Sequence, residues 1–168
     1  SHRSQPVDFN HRLHAKITDD GCESCHSLRL DGSFSGIPDI ETCRTCHVEV
    51  VKEGLNEKRL IRDYIEKETE IPWLVYARQP DSVFFSHAAH IKTAQLTCEN
   101  CHGNIGQSTE LKTYEENRLT GYSRDIWGSG LLSADGMKMN DCVACHHQKG
   151  HAGTSVQTQK EGCFVCHK

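Results

Sequence analysis

V-F-F-S-H-A-A-H at residues 83–90, then seven residues, then C-E-N-C-H at 98–102, restates an earlier run. That earlier run is V-D-F-N-H-R-L-H at 7–14, again seven residues, then C-E-S-C-H at 22–26. The shared frame is V-x-F-x-H-x-x-H-(seven)-C-E-x-C-H. C-x-x-C-H is the attachment sequence of c-type haem. Its two thiols add across the porphyrin vinyl groups, and its histidine becomes the proximal iron ligand. The H-x-x-H ahead of each motif offers two further imidazoles, enough for the far side of two irons. His11 with His14, and His87 with His90, are therefore candidate distal ligands.

The cysteine count extends this pattern to the whole chain. All ten cysteines fall into five such motifs: Cys22 and Cys25, Cys43 and Cys46, Cys98 and Cys101, Cys142 and Cys145, Cys163 and Cys166. The proximal histidines are His26, His47, His102, His146 and His167. Zinc sites would need the C-x-x-C units in pairs, and five is odd. A disulfide framework would not set a histidine after every second cysteine. Five covalent haem c groups are the expectation. Hydrophobic residues make up 36% of the 168 residues and aromatics 7%, thin for a core built from protein alone. The porphyrins then form the core, and the chain needs them in order to fold.

Haem c is attached outside the cytoplasmic membrane, so the chain is expected to be exported, with Ser1 a processed or trimmed start. No run of eighteen apolar residues is present, so membrane association would come through partners or an N-terminal anchor absent from this sequence. The formal net charge is −4 with histidine neutral, and ionised propionates would make it more acidic. That argues against a nucleic-acid partner, which a basic surface would bind, and suits a basic redox protein.

The chain reads as a dihaem module over residues 1–71 and a trihaem module over 72–168. His2 reads as a solvated tail residue. A short helix is expected around Phe9 to His14, a loop over 27–42 with Asp31-Gly32, Gly36 and Pro38, and a helix over Val48 to Glu70 with Leu60, Ile61, Tyr64 and Ile65 on one stripe. Ile71 to Pro80 is expected as an extended connector. Residues 103–141 hold no cysteine or histidine and read as a loop packing over a haem or against a partner, with Tyr122, Trp127, Leu131 and Leu132 in it. The fold class is a mainly α multihaem cytochrome with much irregular loop and little or no β. Seven histidines outside the motifs and two methionines outnumber five distal positions, so an open iron of the nitrite-reductase kind is not forced.

The V-x-F-x-H-x-x-H frame with its motif resembles the cytochrome c3 and c7 group. In that group the first histidine serves the next haem and the second serves another nearby. The resemblance thus implies His11 with the haem of His26, His14 with that of His47, His87 with that of His102, and His90 with that of His146. It also implies that the distal ligand of the last haem lies just before the preceding motif, where Met139 stands; His151 and His147 are the alternatives. A closer resemblance covers most of the chain. Q-P-V-D-F-N-H-R-L-H, D-G-S-F-S-G-I-P, I-P-W-L-V-Y-A-R-Q-P-D, N-R-L-T-G-Y-S-R-D-I-W-G and M-K-M-N-D-C-V-A-C-H look like the multihaem subunit family of the menaquinone reductases of sulfate reducers. Met139 to His146 also looks like the pentahaem subunit of alternative complex III. These families imply an electron-transfer subunit on the periplasmic side of the cytoplasmic membrane. Its partners would be iron–sulfur and membrane quinone-binding subunits and a soluble cytochrome c3 donor. One departure is that the sulfate-reducer subunit is described with six haems, whereas a sixth here would need unusual attachment. The alternatives are a free periplasmic shuttle or a protomer of an extracellular cytochrome filament.

Overall fold

A computed structural model describes residues 2–50, 54–75, 81–115 and 137–150. The chain forms two compact units. The N-terminal unit is His2–Leu74 together with Ile105–Tyr114, and the C-terminal unit holds Val75–Asn104 and the chain from Glu115 on. Helices and loops dominate. The sheet among the described residues is one pair of two-residue strands, β1 (His2–Arg3) and β2 (Tyr114–Glu115).

In the N-terminal unit, helix α1 (His11–Ile17) starts where Asn10 caps it. The Asn10 backbone is extended, and its side-chain oxygen accepts the Leu13 N–H at 2.9 Å, satisfying one of the donors a helix start leaves open. A second open donor, the Arg12 N–H, bonds the Ser108 carbonyl at 3.0 Å, which holds the turn Ile105–Gln107 against α1. The helix stops at Thr18, whose N–H and hydroxyl both reach the His14 carbonyl.

Residues 27–39 form the expected loop. It folds back at Asp31-Gly32, where Gly32 takes φ 82°, and Leu28 pairs with Phe34 across the turn. The loop ends earlier than expected because Asp39 is a helix cap: its carboxylate accepts the Thr42 N–H at 3.0 Å. Helix α2 (Ile40–Arg44) follows and carries Cys43. The helix expected over 48–70 is shorter, with α3 (Leu55–Leu60) beginning after an extended Gly54. Val48 and Val50 are exposed, so burial does not favour helix at these two positions.

Past α3 the helix widens into a π turn, Ile61–Ile65, closed by the Glu66 N–H on the Ile61 carbonyl at 2.9 Å. Widening brings the adjacent Leu60 and Ile61 inward together with Ile65. These three, with Val7, Ile40 and Ile71, are the buried core, and Cys43, Tyr64 and Trp73 pack against it. The Gln5 amide fastens the start of the chain to this core by bonding both the N–H and the carbonyl of Leu74, at 3.0 and 2.9 Å. The connector from Ile71 is irregular as far as Val75, beyond which it lies outside the described residues.

The C-terminal unit repeats the opening pattern. Residues 87–93 form a helical turn that ends as a π turn, Ala89–Thr93. Helix α4 (Cys98–His102) carries the third motif. Its start is closed by the Asn100 side-chain oxygen, which accepts the Thr97 N–H at 2.8 Å. Helix α5 (Met139–Gly150) carries the fourth, and just before it the Met137 N–H bonds the Cys101 carbonyl at 3.1 Å. Among the described residues of this unit no hydrophobic side chain is buried, and Val143 is more than half exposed. Tyr122, Trp127, Leu131 and Leu132 lie outside the described residues, as do His151 and the fifth motif, Cys163, Cys166 and His167.

Candidate functional site

Each described motif forms one helical turn, which is why C-x-x-C-H has its spacing. Positions i, i+3 and i+4 share a face. The His26 N–H bonds the Cys22 carbonyl at 2.9 Å and the His47 N–H the Cys43 carbonyl at 3.0 Å. None of the eight described cysteines is joined in a disulfide. In the N-terminal unit, burial and then the neighbouring Cys46 thiol push the Cys25 thiol above its usual value. In the C-terminal unit, burial and then Cys145 do the same to Cys101. The second cysteines of consecutive motifs thus lie within electrostatic reach of each other in both units.

The H-x-x-H frame is built the same way twice. Phe9 stacks on His14 with ring centres 4.2 Å apart and meets His11 edge-on at 4.8 Å. Phe85 stacks on His90 at 4.4 Å and meets His87 edge-on at 4.8 Å. One phenylalanine thus sits against two imidazoles and holds them at different tilts. The residue after it anchors the turn. The Asn10 carbonyl accepts the His14 Nδ1–H at 2.8 Å, and the Ser86 carbonyl accepts the His90 Nδ1–H at 2.8 Å. Fixing Nδ1 as the donor leaves Nε2 as the lone-pair nitrogen, the arrangement that orients metal-binding histidines. His26 is held likewise, its Nδ1–H on the Gly36 carbonyl at 2.7 Å, and Phe34 stacks near it. His11 Nδ1 pairs with the Ser108 hydroxyl at 3.2 Å, and His47 Nδ1 with the Glu57 carboxylate at 3.1 Å.

These imidazoles meet in pairs. His14 and His47 have ring centres 6.1 Å apart, and His90 and His146 have theirs 5.9 Å apart. A metal–nitrogen bond of about 2 Å and a ring nitrogen about 1.1 Å from the ring centre put two imidazoles on one iron about 6.2 Å apart, centre to centre. The two pairs fit a shared metal. His11 and His87 are placed within electrostatic reach of His26 and His102. Burial first, then His26 and His14, hold the His11 imidazole below its usual value, and burial, His102 and His90 do the same for His87. Ser35 Oγ, beside the first motif's loop, is buried without a partner among protein atoms, a polar atom that a propionate oxygen would satisfy. Neighbouring motif cysteines, fixed ring tautomers and metal-compatible separations all suit haem c.

Met139 opens α5, three and seven residues before Cys142 and His146, and so shares their helical face. His147 lies on another face with Asn140, Val143 and Ala144, beside an open cavity. The partner of either at the fifth motif falls outside the described residues.

Sequence reasoning missed the work of Phe9, Phe85, Asn10, Ser86 and Glu57. The first four had a signal: they fill fixed places in the repeated F-x-H-x-x-H frame. Glu57 had none, since it lies ten positions beyond His47 and in a different element, α3.

Residues 83–168 match the family model described as cytochrome c7 and related cytochrome c. Residues 1–72 match that of the class III cytochrome C family. Over its whole length the chain is 38% identical, across 177 aligned residues, to the menaquinone reductase multihaem cytochrome c subunit of Nitratidesulfovibrio vulgaris strain Hildenborough, and it covers 79% of that protein.

Proposed function

Since this chain belongs to the multihaem cytochrome c family of the menaquinone reductase subunit, within the wider cytochrome c7 group, we propose that it is the electron-entry subunit of a membrane-bound menaquinone reductase. It takes electrons from a soluble cytochrome c3 on the periplasmic side and delivers them to iron–sulfur and quinone-binding partners. It is an electron-transfer subunit and holds no catalytic residue of its own. The observation that carries this is the twice-built imidazole pair, 6.1 Å apart in one unit and 5.9 Å in the other. Bound haem supplies reversible one-electron exchange, and an iron held by two protein ligands has no place left for a substrate.

The residues divide the labour simply. The ten cysteines fix five groups in two modules, 1–71 and 72–168. His26, His47, His102, His146 and His167 bind from the proximal side. His11, His14, His87 and His90 close the distal side at His26, His47, His102 and His146 respectively. The ring separations support the assignments of His14 and His90, and the mutual electrostatics of His11 with His26 and His87 with His102 support the other two. Met139 closes the site at His167, with His151 and His147 as the competing donors. The negative net charge favours encounter with a basic cytochrome and makes its rate fall with salt. No described helix is long and apolar enough to cross a membrane; the proposed attachment is through the partner subunits or an N-terminal anchor.

Two measurements test this. The intact holoprotein should carry five haem additions by mass; fewer would contradict the use of all ten cysteines. Stopped-flow mixing with reduced basic cytochrome c3 should reduce the isolated subunit rapidly and salt-dependently, while a menaquinone analogue is reduced only once the rest of the complex is added. Quinone turnover by the lone chain would contradict the subunit role.

A further inference from the structure

The ring nitrogens of His11, His14, His26 and His90 meet uncharged oxygens: the Ser108 hydroxyl and the carbonyls of Asn10, Gly36 and Ser86. His47 is held differently. Its Nδ1 lies 3.1 Å from Oε1 of Glu57, and the two side chains are 26% and 13% exposed. Glu57 stands in the first turn of α3, three residues before Leu60 of the buried core, so the carboxylate comes from a packed element rather than a swinging surface chain. We propose that Glu57 is a positioning residue that sets the midpoint potential at the Cys43–His47 motif and makes it the lower of the two in the N-terminal unit. This rests on His47 being an iron ligand, as proposed above.

The physical reason is charge. A mostly buried carboxylate that accepts the Nδ1–H draws the proton toward itself and makes the opposite nitrogen a stronger electron donor. Stronger donation, together with the negative charge itself, favours ferric over ferrous iron. The His26 ring leans on a neutral carbonyl and gains no such push, although the two motifs share one unit and the same spacing. The couple affected is the addition of one electron to ferric iron. No bond forms or breaks, and the Nδ1 proton stays in its hydrogen bond. In a titration the electron comes from dithionite.

The test is Glu57→Gln, which keeps the size and a ring contact but removes the charge. The holoprotein is titrated potentiometrically with haem-resolved NMR and EPR readout. One haem, that of His47, should move about tenfold toward the ferrous form, which is about 59 mV upward for one electron. The others should stay where they are, and the g-value spread of the affected low-spin signal should widen. A fully loaded variant with unmoved midpoints overturns the proposal, as does an equal rise in every haem, which would mark a bulk charge effect. If the variant does not fold, the parent protein decides: its His47 haem must show a narrower g spread than its His26 haem, and equal spreads overturn the proposal. Failure of the underlying ligand assignment looks different. It would appear in the parent protein as a missing haem at Cys43 and Cys46, or as high-spin iron there.

Discussion

Replacing Phe85 with alanine should loosen both imidazoles proposed as distal ligands in the C-terminal unit, His87 and His90, without altering either histidine. Phe85 stacks on His90 at 4.4 Å with planes 23° apart, and meets His87 edge-on at 4.8 Å and 87°. Aromatic pairs of these geometries contribute about 0.5–1.5 kcal/mol each beyond the area they bury. Losing both removes about 1–3 kcal/mol of bias toward the aimed ring positions. At about 1.4 kcal/mol per factor of ten, that is about 5–150-fold in the balance between a ring directed at its iron and one swung away. Ferrous haem binds carbon monoxide only when an axial place is open, so the gas reports that balance. The Phe85→Ala holoprotein should keep its haem content, and its CO affinity should rise by about that factor at up to two haems. Phe84→Ala is the control: the neighbouring ring is 63% exposed and should change CO binding far less. A CO titration of Phe85→Ala that overlays the parent would refute the idea that this ring aims the imidazoles, and so would an equal gain from Phe84→Ala.

If Met139 ligates at the fifth motif, the oxidised protein should show the near-infrared charge-transfer band of His/Met iron, and Met139→Leu should abolish it; no band in the parent would favour His151 or His147. The Asp63 carboxyl, bonded by the Arg62 guanidinium and flanked by Lys67, is pulled down to about 2. A carboxylate depressed in the folded state adds stability above its unfolded value, about 3.9, and loses it as pH falls toward 2. Unfolding followed between pH 5 and pH 2 should therefore steepen less with acid in Asp63→Asn than in the parent, and parallel curves would count against the ion pair.

What could be read in the chain was what lies within a few residues. The motifs encode a covalent reaction and a ligand at fixed spacing, so Cys22 to His26 announces itself wherever it folds. The H-x-x-H histidines were equally plain, because a helical turn makes them neighbours. The stripe of Leu60, Ile61, Tyr64 and Ile65 also came through, since three of these side chains are buried and the fourth packs beside them. Contacts between distant residues were not legible. Nothing near Ser108 says that it will bond His11, ninety-seven positions away, or that Ile105–Tyr114 folds with the N-terminal unit. Helix limits failed for a related reason. Asp39 and Gly54 decide where α2 and α3 begin, and a single capping residue outweighs the apolar periodicity around it.

The carbonyls of Asn10 and Ser86 have a consequence for how such a protein is made. Each takes the Nδ1–H of a histidine only four positions ahead, so the ring is oriented by a bond that closes a very short loop. No distant part of the chain has to arrive first. Each frame precedes in sequence the C-x-x-C-H motif that follows it by seven residues. The Nε2 lone pair is thus oriented by a local scaffold and not by a distant part of the chain. With these histidines as the proposed distal ligands, haem attachment would close half-sites already prepared by short-range bonds, instead of searching for ligands within a collapsed polypeptide.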